Sequence, residues 1–396
     1  MRPSAFAALL LAPALPAFLA CGGAEVACCD PEPPTGEETP YRDVTATHLP
    51  AMTPRGSMEA RAVDVDGDGD LDLLIAKEFL PNVLLLNDGA GRFADASDRI
   101  PRTAFDSEDV AAVDLDRDGD TDLVVAAEDD QRSELWLNDG TGRFGDASTR
   151  LPAAGTSNAV AAGDLDGDGD PDLVFGNAGP ELIFLNDGAG GLADASARLP
   201  SGSDVTQDAA LGDVDGDGDL DLVTGNEGTG TRLYLNDGAA GFVEAVGAVA
   251  APAAPEVTRN ADLGDADGDG DLDLHLANVG SPGVQPRSRL LLNDGRGVFA
   301  EALDRLPSVG TAVFDGDFAD LDGDGDRDLV YVGNPNAPAG RILRNAGGVF
   351  ANVSFLLLPA TARGSVEVEA ADFDGDGRLD LYFTNYLEGD RLLLAP

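Results

Sequence analysis

A nine-residue cluster of aspartates recurs seven times along this chain, and this repeat constrains the fold more than any other feature. Successive copies lie 49 to 55 residues apart, and the clusters begin at Asp64, Asp114, Asp164, Asp213, Asp265, Asp320 and Asp372. Around each cluster the same segments recur: an apolar run leads into the aspartates, and two further apolar runs and a closing segment follow. A period of about 50 residues indicates repeated supersecondary units.

The apolar runs have the pattern of β-strands. They are four to six residues long, rich in Val, Leu, Ile and Phe, and bounded by Gly, Asn, Asp or Pro. No segment keeps a helical period long enough to compete. Asn-Asp-Gly occurs where a tight hairpin turn needs positive φ angles, and it begins at Asn87, Asn138, Asn186, Asn236 and Asn293. Each copy therefore holds about four strands in about 50 residues, the proportions of one propeller blade.

The two ends of the repeat region predict how the blades close into a ring. The seventh copy stops after its third strand, at residues 391–394, and no fourth strand follows it. Residues 41–50 instead match the fourth-strand segment of the first copy, residues 93–101. An N-terminal strand that completes the last blade leaves no open sheet edge. We therefore predict an all-β fold over residues 41–396: a seven-bladed β-propeller closed by an N-terminal strand.

The residues before the propeller have the pattern of an export signal followed by a tether. Residues 1–20 contain an apolar run that is too short, and too broken by prolines, to span a bilayer, and they are predicted to be a signal peptide. Residues 21–40 are rich in Pro and acidic residues, which predicts a disordered tether. Cys28 and Cys29 are adjacent, so they give no disulfide framework.

The end of the apolar run carries a lipoprotein-like feature. Ala20-Cys21 resembles the lipobox of bacterial lipoproteins, and this resemblance implies lipidation of Cys21. We expect an exported protein at the outer membrane or cell surface if it is bacterial, and a periplasmic or secreted protein otherwise. A plain secretory signal cut near Ala20 is the alternative.

The spacing within each aspartate cluster predicts a calcium-binding loop. In the first copy, Asp64, Asp66, Asp68 and Asp72 supply carboxylates at positions 1, 3, 5 and 9, and Asp70 at position 7 offers a backbone carbonyl. Hard oxygen ligands in a flexible loop suit calcium better than magnesium or zinc. Without a cation, these carboxylates would repel one another strongly. Solvated acidic turns are the alternative, but they leave the 1-3-5-9 spacing unexplained. An EF-hand is excluded because position 12 is never the glutamate that it requires.

Residues 41–396 resemble the FG-GAP/VCBS repeat family, whose propellers are related to the head of integrin α chains. The resemblance rests on the DxDGDGxxD loops after apolar strands and on the NDGxGxF turns. It implies about seven structural calcium ions, each bound between the first and second strands of a blade on one face. Arg117 at position 4 of the second loop and Pro171 at position 8 of the third depart from the pattern without removing a ligand. Besides the five aspartates of the first loop, the implied ligands are Asp114, Asp116, Asp118, Asp120 and Asp122; Asp164, Asp166, Asp168, Asp170 and Asp172; Asp213, Asp215, Asp217, Asp219 and Asp221; Asp265, Asp267, Asp269, Asp271 and Asp273; Asp320, Asp322, Asp324, Asp326 and Asp328; and Asp372, Asp374, Asp376, Arg378 (through its carbonyl) and Asp380.

Charge and loop variation narrow the classes of partner. The chain has 25 basic and 73 acidic residues and a formal net charge of −48, which excludes nucleic acid and anionic membrane surfaces; membrane contact is expected only through the lipid anchor. The family resemblance places ligands on the face opposite the calcium loops. Arginine and aromatic residues there suit a sugar ring, a carboxylate or a peptide, although scattered surface residues are the alternative. These residues are Arg55, Phe79, Phe105, Arg132, Arg259, Arg287, Tyr386 and the insertion 280–289.

We therefore expect an extracellular binding or adhesion module for a glycan or a protein rather than an enzyme. A calcium-dependent polysaccharide lyase or hydrolase and a purely structural surface module are the alternatives. His275 matches apolar strand positions of the other copies and is expected to be a strand residue, and His48 has no visible partner. No GxSxG elbow, CxxC pair or phosphate loop occurs. Trp136 is the single tryptophan, which excludes quinone-dependent propellers with a tryptophan motif in every blade.

Overall fold

The computed structural model describes residues 40–396 except 53–54, 129–131, 153–154, 281–285, 308–311, 334–339 and 360–364. The predicted signal peptide, Cys21 and almost all of the predicted tether lie outside these described residues, as does half of the insertion 280–289. No helix within the described ranges combines the length and hydrophobicity that a membrane span requires.

The described residues form seven four-stranded antiparallel sheets, which are the blades, numbered here in chain order. Before the first blade lie β1 (Arg42–Asp43) and the short helix α1 (Thr45–His48). Blades 1 to 3 contain β2 (Ser57–Val63), β3 (Asp72–Lys77), β4 (Val83–Asn87), β5 (Phe93–Asp95); β6 (Ser107–Val113), β7 (Asp122–Ala127), β8 (Glu134–Asn138), β9 (Phe144–Asp146); and β10 (Ser157–Gly163), β11 (Asp172–Asn177), β12 (Leu182–Asn186), β13 (Leu192–Asp194).

The remaining four blades repeat the same order of strands. Blades 4 and 5 contain β14 (Thr206–Gly212), β15 (Asp221–Asn226), β16 (Arg232–Asn236), β17 (Phe242–Glu244); and β18 (Thr258–Gly264), β19 (Asp273–Asn278), β20 (Arg289–Asn293), β21 (Phe299–Glu301). Blades 6 and 7 contain β22 (Val313–Ala319), β23 (Asp328–Gly333), β24 (Arg341–Asn345), β25 (Phe350–Asn352), α2 (Ser354–Leu357); and β26 (Ser365–Ala371), β27 (Asp380–Asn385), β28 (Arg391–Leu394). Single 3₁₀ turns follow the fourth strands of the first three blades at Ser97–Arg99, Ser148–Arg150 and Ser196–Arg198.

The ring closes as the sequence predicts. Blade 7 has the strand order β26-β27-β28-β1, so the N-terminal strand takes the fourth position in the last blade. Arg42 pairs with Leu394, and the N–H of Val44 donates to the carbonyl of Leu392 at 3.0 Å. The hydroxyl of Tyr41 donates to the carbonyl of Leu379 at 3.0 Å. The closing segment therefore covers the backbone edge of β28.

The hydrophobic core lies between neighbouring blades. Every residue of β3 and β7 is buried, because each second strand packs against a neighbouring blade on both faces. One cluster joins Leu74 and Leu84 of blade 1 to Val110 and Trp136 of blade 2, and corresponding clusters lie at the other junctions. Burial on both faces explains why these strands read as continuous apolar runs rather than as alternating ones.

Candidate calcium-binding loops and the central channel

The aspartate clusters form tight loops between the first and second strands of each blade. In the first loop, the N–H groups of Gly67 and Gly69 donate to the two carboxylate oxygens of Asp64 at 2.8 and 3.0 Å. The N–H of Asp70 donates to Asp68 Oδ1 at 3.0 Å. The carboxylates at positions 1 and 5 therefore curl the loop, and the glycines allow the curl.

The aspartate at position 9 joins the loop to the sheet. Asp72 is 1 % exposed, and its carboxylate accepts the N–H of Val65 at 3.1 Å and the N–H of Asn87 at 2.8 Å. Burial raises the pKa of Asp72 to about 7, although the two hydrogen bonds oppose the shift. Burial likewise raises the pKa to about 6 at the corresponding carboxyls of Asp122, Asp172, Asp221, Asp273, Asp328 and Asp380.

The donor set of these loops fits calcium. In each of the first four loops, carboxylate oxygens of positions 1, 3 and 9 lie within 4.8 Å of one another. A buried carboxylate oxygen at position 3 has no hydrogen-bond partner among the described residues in five loops, at Asp66, Asp116, Asp166, Asp267 and Asp374. A buried oxygen without a partner is costly, and a hard divalent cation would satisfy it. Positions 1, 3 and 9 are thus the predicted ligands that the structure brings together most clearly.

An asparagine at the end of the third strand ties each loop to the neighbouring blade. Asn138 Nδ2 donates to the carbonyl of Val65 in the first loop at 2.8 Å and to the carbonyl of Thr121 in its own loop at 3.1 Å. The same pair of bonds is made by Asn87, Asn186, Asn236, Asn293 and Asn345. Sequence analysis explains this asparagine only by the turn, and so it misses the link between loops.

The positive φ of each turn belongs to its glycine. Gly89 has φ +73°, whereas Asn87 is the last residue of β4. A Cβ atom on Gly89 would lie 2.5 Å from Asp70 Oδ2, so the close approach of the metal loop also requires glycine here. The turn and the loop are therefore packed against each other.

Three loops depart from the common pattern. Arg117 has φ +58°, and its guanidinium lies 2.5 Å from Asp170 Oδ1 in the third loop. Arg378 pairs with Asp376 at 2.5 Å in the seventh loop. The sixth loop differs most, because the guanidinium of Arg344 pairs with the carboxylates of Asp322 and Asp328, positions 3 and 9 of that loop. These two carboxylates already have a cation, so the sixth loop fits calcium less well than the five loops in which an oxygen at position 3 has no partner among the described residues.

The first strands of all seven blades line a central channel with a cavity volume of about 410 Å³. Each of these strands contains a β-bulge near its start: in blade 1, Ser57 pairs with Lys77 and Glu59 with Ala76, which leaves Met58 as the extra residue. All seven bulge residues line the channel. We call them the bulge ring: Met58, Glu108, Asn158, Gln207, Arg259, Phe314 and Val366.

The bulge ring has an apolar side and a polar side. Met58, Phe314 and Val366 belong to the consecutive blades 1, 6 and 7 and form a buried cluster, against which Tyr386 packs. The polar residues belong to blades 2 to 5. Because the bulges lie at the start of the first strands and the metal loops follow their ends, this ring lies toward the face opposite the loops. A bulge re-aims a side chain, and bulges are over-represented next to active sites.

Charge at this mouth of the channel is concentrated on the polar side. Carboxylate oxygens of Asp106, Glu108 and Glu128 lie within 4.8 Å of one another. Burial and these neighbouring carboxylates raise the pKa of Glu108 well above its ordinary value. The guanidinium of Arg259 contacts Gln207 Oε1. Both signs of charge and neutral amides therefore occur on this side of the ring.

Carboxylates deeper in the channel join neighbouring first strands. Each accepts a backbone N–H from the next blade: Asp109 from Val160 (2.7 Å), Asp208 from Ala261 (2.7 Å), Asp262 from Phe318 (2.6 Å), Asp315 from Val368 (2.9 Å), Glu367 from Ala60 (3.2 Å) and Glu369 from Ala62 (2.8 Å). At the other two junctions, Arg61 donates to the carbonyl of Val110 (3.2 Å) and Asn158 to that of Thr206 (2.7 Å). Side chains therefore bridge the inner strands at every junction.

These channel carboxylates are a feature that sequence analysis misses, because it assigns the excess of aspartate to the metal loops. Among the described residues, nine carboxylates and two arginines line the channel. Burial raises the pKa of Asp208 to about 7 and that of Asp315 to about 8. The sequence does contain a signal for these channel carboxylates: most blades have an acidic residue in the first strand, before the aspartate loop.

The residues predicted on the opposite face do not all share one site. Arg259 belongs to the bulge ring and Tyr386 packs beside it. Phe79 is 41 % exposed, with φ +52°, and its N–H donates to the carbonyl of Phe105 at 2.8 Å. Arg287 pairs with Glu301 at 3.3 Å, whereas the side chains of Arg55 and Arg132 are exposed.

Both histidines are buried. His275 lies in β19, as predicted, and its Nδ1 is 2.9 Å from the carbonyl oxygen of Gly316. Burial lowers the pKa of His275 to about 4, so the ring is neutral at pH 7. His48 lies in α1, and its Nδ1 is 2.7 Å from the hydroxyl oxygen of Thr47.

Solved structures at low sequence identity share this fold. A lectin from Agrocybe aegerita with specific recognition of non-reducing terminal N-acetylglucosamine is 20% identical at a TM-score of 0.53, with 75% of this chain and 79% of the lectin covered. BBS1N in complex with ARL6DN is 11% identical at a TM-score of 0.57, with 90% and 97% covered. The extracellular domain of the hybrid two-component system BT3049 from B. thetaiotaomicron is 11% identical at a TM-score of 0.54, with 89% of this chain and 41% of that one covered.

Sequence comparison shows the family. No curated protein matches the chain. The model of the FG-GAP-like repeat matches residues 64–125, 114–175, 164–224, 213–276 and 320–383, which together make up more than half of the chain. Each match runs from the metal loop of one blade into the second strand of the next. The chain is therefore a member of the FG-GAP-like repeat family.

Proposed function

We propose that this protein is an exported recognition module whose bulge ring binds the end of a neutral glycan, while calcium in the loops of the opposite face stabilises the propeller. The observation that carries the proposal is the composition of the ring. Its seven positions are equivalent in the fold but hold seven different amino acids. The position before the bulge is Ser or Thr in six of the seven blades. The contrast between this varied position and the nearly uniform position before it points to recognition rather than to folding.

The chemistry of the ring suits a sugar. A pyranose has an apolar face and a rim of hydroxyl groups, and the ring sets Met58, Phe314 and Val366 opposite four polar side chains. Amides such as those of Asn158 and Gln207 both donate and accept hydrogen bonds, as hydroxyl groups do. Gln207 Nε2 and Glu108 Oε1 are buried without a hydrogen-bond partner among the described residues. A volume of about 410 Å³ lies within the usual range for ligand pockets.

The electrostatic field favours a neutral ligand over an anionic one. The chain carries a formal net charge of −48, and nine carboxylates line the channel against two arginines. The carboxylates would repel an acidic sugar as it approaches, but they would not repel a neutral sugar. The lectin of similar fold recognises a terminal N-acetylglucosamine, which is a neutral sugar.

We propose binding without cleavage. Both oxygens of Asp109 accept backbone N–H groups, from Val110 at 2.6 Å and from Val160 at 2.7 Å. Asp208 does the same with Ala209 at 2.8 Å and Ala261 at 2.7 Å. A carboxylate that joins two backbone segments is poorly placed to exchange a proton with a substrate. These bonds favour a structural role for Asp109 and Asp208.

We further propose that the protein is exported and anchored through lipidated Cys21. The signal-like residues 1–20 and the polar residues 21–40 would place the propeller outside the cell on a tether. Extracellular calcium modules often bind with Kd values of about 10⁻⁴ to 10⁻³ M, which suits loops that need calcium outside the cell. Metabolic labelling with a lipid analogue should mark the wild type and not Cys21→Ser. Equal labelling of both proteins would contradict the anchor.

Glycan binding is tested with the purified propeller on a broad glycan array, followed by titration of the sugar that binds. We expect Gln207→Ala and Phe314→Ala to weaken binding at least about tenfold. Val243→Ala is the matched control, because Val243 is 69 % exposed in β17 and outside the ring. Incubation with the bound sugar and detection of new reducing ends then tests for cleavage.

Each outcome of the array discriminates between functions. A silent array would contradict glycan binding and favour a protein partner or a structural role. Binding that is unchanged in both ring variants would place the site elsewhere. Release of new reducing ends would support the polysaccharide-active alternative. Because the metal loops lie on the other face, a chelator should not abolish binding below the melting temperature of the calcium-free protein.

A further inference from the structure

We propose that the guanidinium of Arg344 takes the place of calcium in the sixth loop, so that the propeller binds calcium in its other six loops. This inference concerns the metal content of the propeller and does not depend on glycan binding. Arg344 lies in β24, the third strand of blade 6, next to the asparagine that ends the strand.

The sequence position of Arg344 is apolar in every other blade. The equivalent residues are Leu86, Leu137, Leu185, Leu235, Leu292 and Leu394. Arg344 is nevertheless largely buried, with 11% of its side chain exposed. An arginine stays protonated throughout the physiological pH range, so a permanent positive charge replaces a hydrocarbon side chain at this point.

Two of the predicted ligands of the sixth loop contact this charge. Arg344 Nη1 contacts Asp328 Oδ2 at position 9, and Arg344 Nε lies 3.5 Å from Asp322 Oδ2 at position 3. Both positions converge with position 1 in the first four loops. A guanidinium among these oxygens offsets their negative charge and repels a second cation.

The backbone of the sixth loop keeps the common shape. The N–H groups of Gly323 and Gly325 donate to the carboxylate of Asp320 at 2.8 and 3.1 Å, and the N–H of Asn345 donates to Asp328 Oδ1 at 2.8 Å. Arg344 therefore changes the charge inside the loop without changing its fold. Replacement of a metal ion by an internal cation requires both features: a loop of unchanged shape and a positive charge inside it.

The surroundings of the sixth loop also differ. In the first and fifth loops, a glycine in the turn of the next blade lies against the aspartate at position 3. These aspartates, Asp66 and Asp267, have 22% and 18% of their side chains exposed. In the sixth loop, Asp322 is 40% exposed and borders a cavity of about 280 Å³ that Arg344 also lines. Water screens the remaining carboxylates there, so one internal cation is enough to offset their repulsion.

The other arginines near loops do not do this. Arg99 and Arg305 each lie near one carboxylate oxygen at position 3 (3.9 Å from Asp66 Oδ2 and 3.1 Å from Asp267 Oδ2), but the other oxygen of each carboxylate has no hydrogen-bond partner among the described residues.

Arg378 is 53% exposed and pairs with position 5 of the seventh loop, while Asp374 Oδ1 at position 3 remains without a hydrogen-bond partner among the described residues. Arg117 pairs with the side chain of Asp170, a position that is expected to bind the metal through its carbonyl oxygen. Both arrangements leave positions 3 and 9 available.

The test counts bound calcium. The full-length protein is stripped with a chelator, titrated with calcium, freed of excess ion and analysed by native mass spectrometry and elemental analysis. We expect six ions in the wild type and seven in Arg344→Leu, which restores the residue of the other blades. Leu235→Arg is the converse variant, because it places an arginine beside the fourth loop, and we expect it to bind five.

The outcomes are separable. Seven ions in the wild type would overturn the proposal, and so would six ions in Arg344→Leu. Circular dichroism shows whether each variant is folded. If Leu235→Arg fails to fold, the wild type can still be compared with Arg344→Leu and Arg344→Met. Both variants remove the positive charge, and they should bind one more calcium ion than the wild type only if Arg344 occupies a calcium site. Loss of glycan binding in any variant would not bear on the count.

Discussion

At the residue scale, Gly316 shows how one blade accommodates side chains that the other blades lack. His275 stacks on Tyr331 at a centroid distance of 4.9 Å, and both rings lie over Gly316 in the first strand of blade 6. The equivalent residue is Ala or Val in the other blades, such as Ala60 and Val110. The glycine here provides space for two buried rings and is not required by a left-handed backbone.

We therefore expect Gly316→Ala to lower the free energy of unfolding by about 1–3 kcal/mol, as for other overpacked sites. The added Cβ would lie 2.7 Å from His275 Cε1 and 2.7 Å from Tyr331 Cδ1, and both rings are almost fully buried. Gly155→Ala is the matched control, because nothing lies within 4 Å of its Cβ, and we expect it to be neutral or slightly stabilising. Chemical denaturation measures both, and equal stabilities would contradict the packing explanation.

At the element scale, the short closing segment contributes more than its two paired residues. Val44 is 4% exposed and packs with Tyr382, Leu392 and Leu394 of blade 7. Its N–H also bonds to the carbonyl of Leu392 at 3.0 Å. The segment thus covers apolar side chains and a strand edge together, and its loss would expose both to other molecules.

We expect Val44→Asp to release the closing segment, because a buried carboxylate without a partner costs several kcal/mol. Cleavage by a broad-specificity protease between residues 41 and 50 should become much faster, and size-exclusion chromatography should show oligomers formed through the open edge of β28. Ala46→Asp adds the same charge at an exposed position of α1 and should behave as the wild type. Equal protection of both variants would mean that β1 is dispensable for closure.

At the scale of the whole molecule, the blade count, the closure and the aspartate loops were predictable from sequence, and the channel was not. The loops are encoded within nine residues, and a period of about 50 residues defines the blades. The bonds between blades instead join residues such as Asp208 and Ala261, which are 53 residues apart, and they depend on which side chains face the axis. The bulge ring depends on one extra residue in each first strand, and strand patterns do not show a bulge. Sequence analysis did not single out Arg344, because a departure from leucine has no evident meaning without the distance to Asp322.

Electrostatic repulsion between acidic residues opposes closure of this ring. The formal net charge is −48, and six calcium ions would bring it to −36. Each loop ion bound only by the folded state adds about 2.7 kcal/mol when free calcium is one hundred times Kd. We therefore expect a chelator to lower the melting temperature by many degrees and calcium to restore it. An unchanged melting curve would contradict a structural role for the metal.

Changing the sodium chloride concentration distinguishes repulsion between carboxylates from the other effects of calcium loss. Salt screens carboxylates that are exposed to solvent, with a Debye length of about 10 Å at 0.1 M and about 3 Å at 1 M. In chelator, raising sodium chloride from 0.1 to 1 M should recover part of the lost melting temperature, whereas the calcium-loaded protein should respond much less. The channel carboxylates lie in the interior and are screened poorly, so the recovery should be incomplete. If salt has the same effect with and without calcium, the metal acts by fixing loop geometry rather than by offsetting charge.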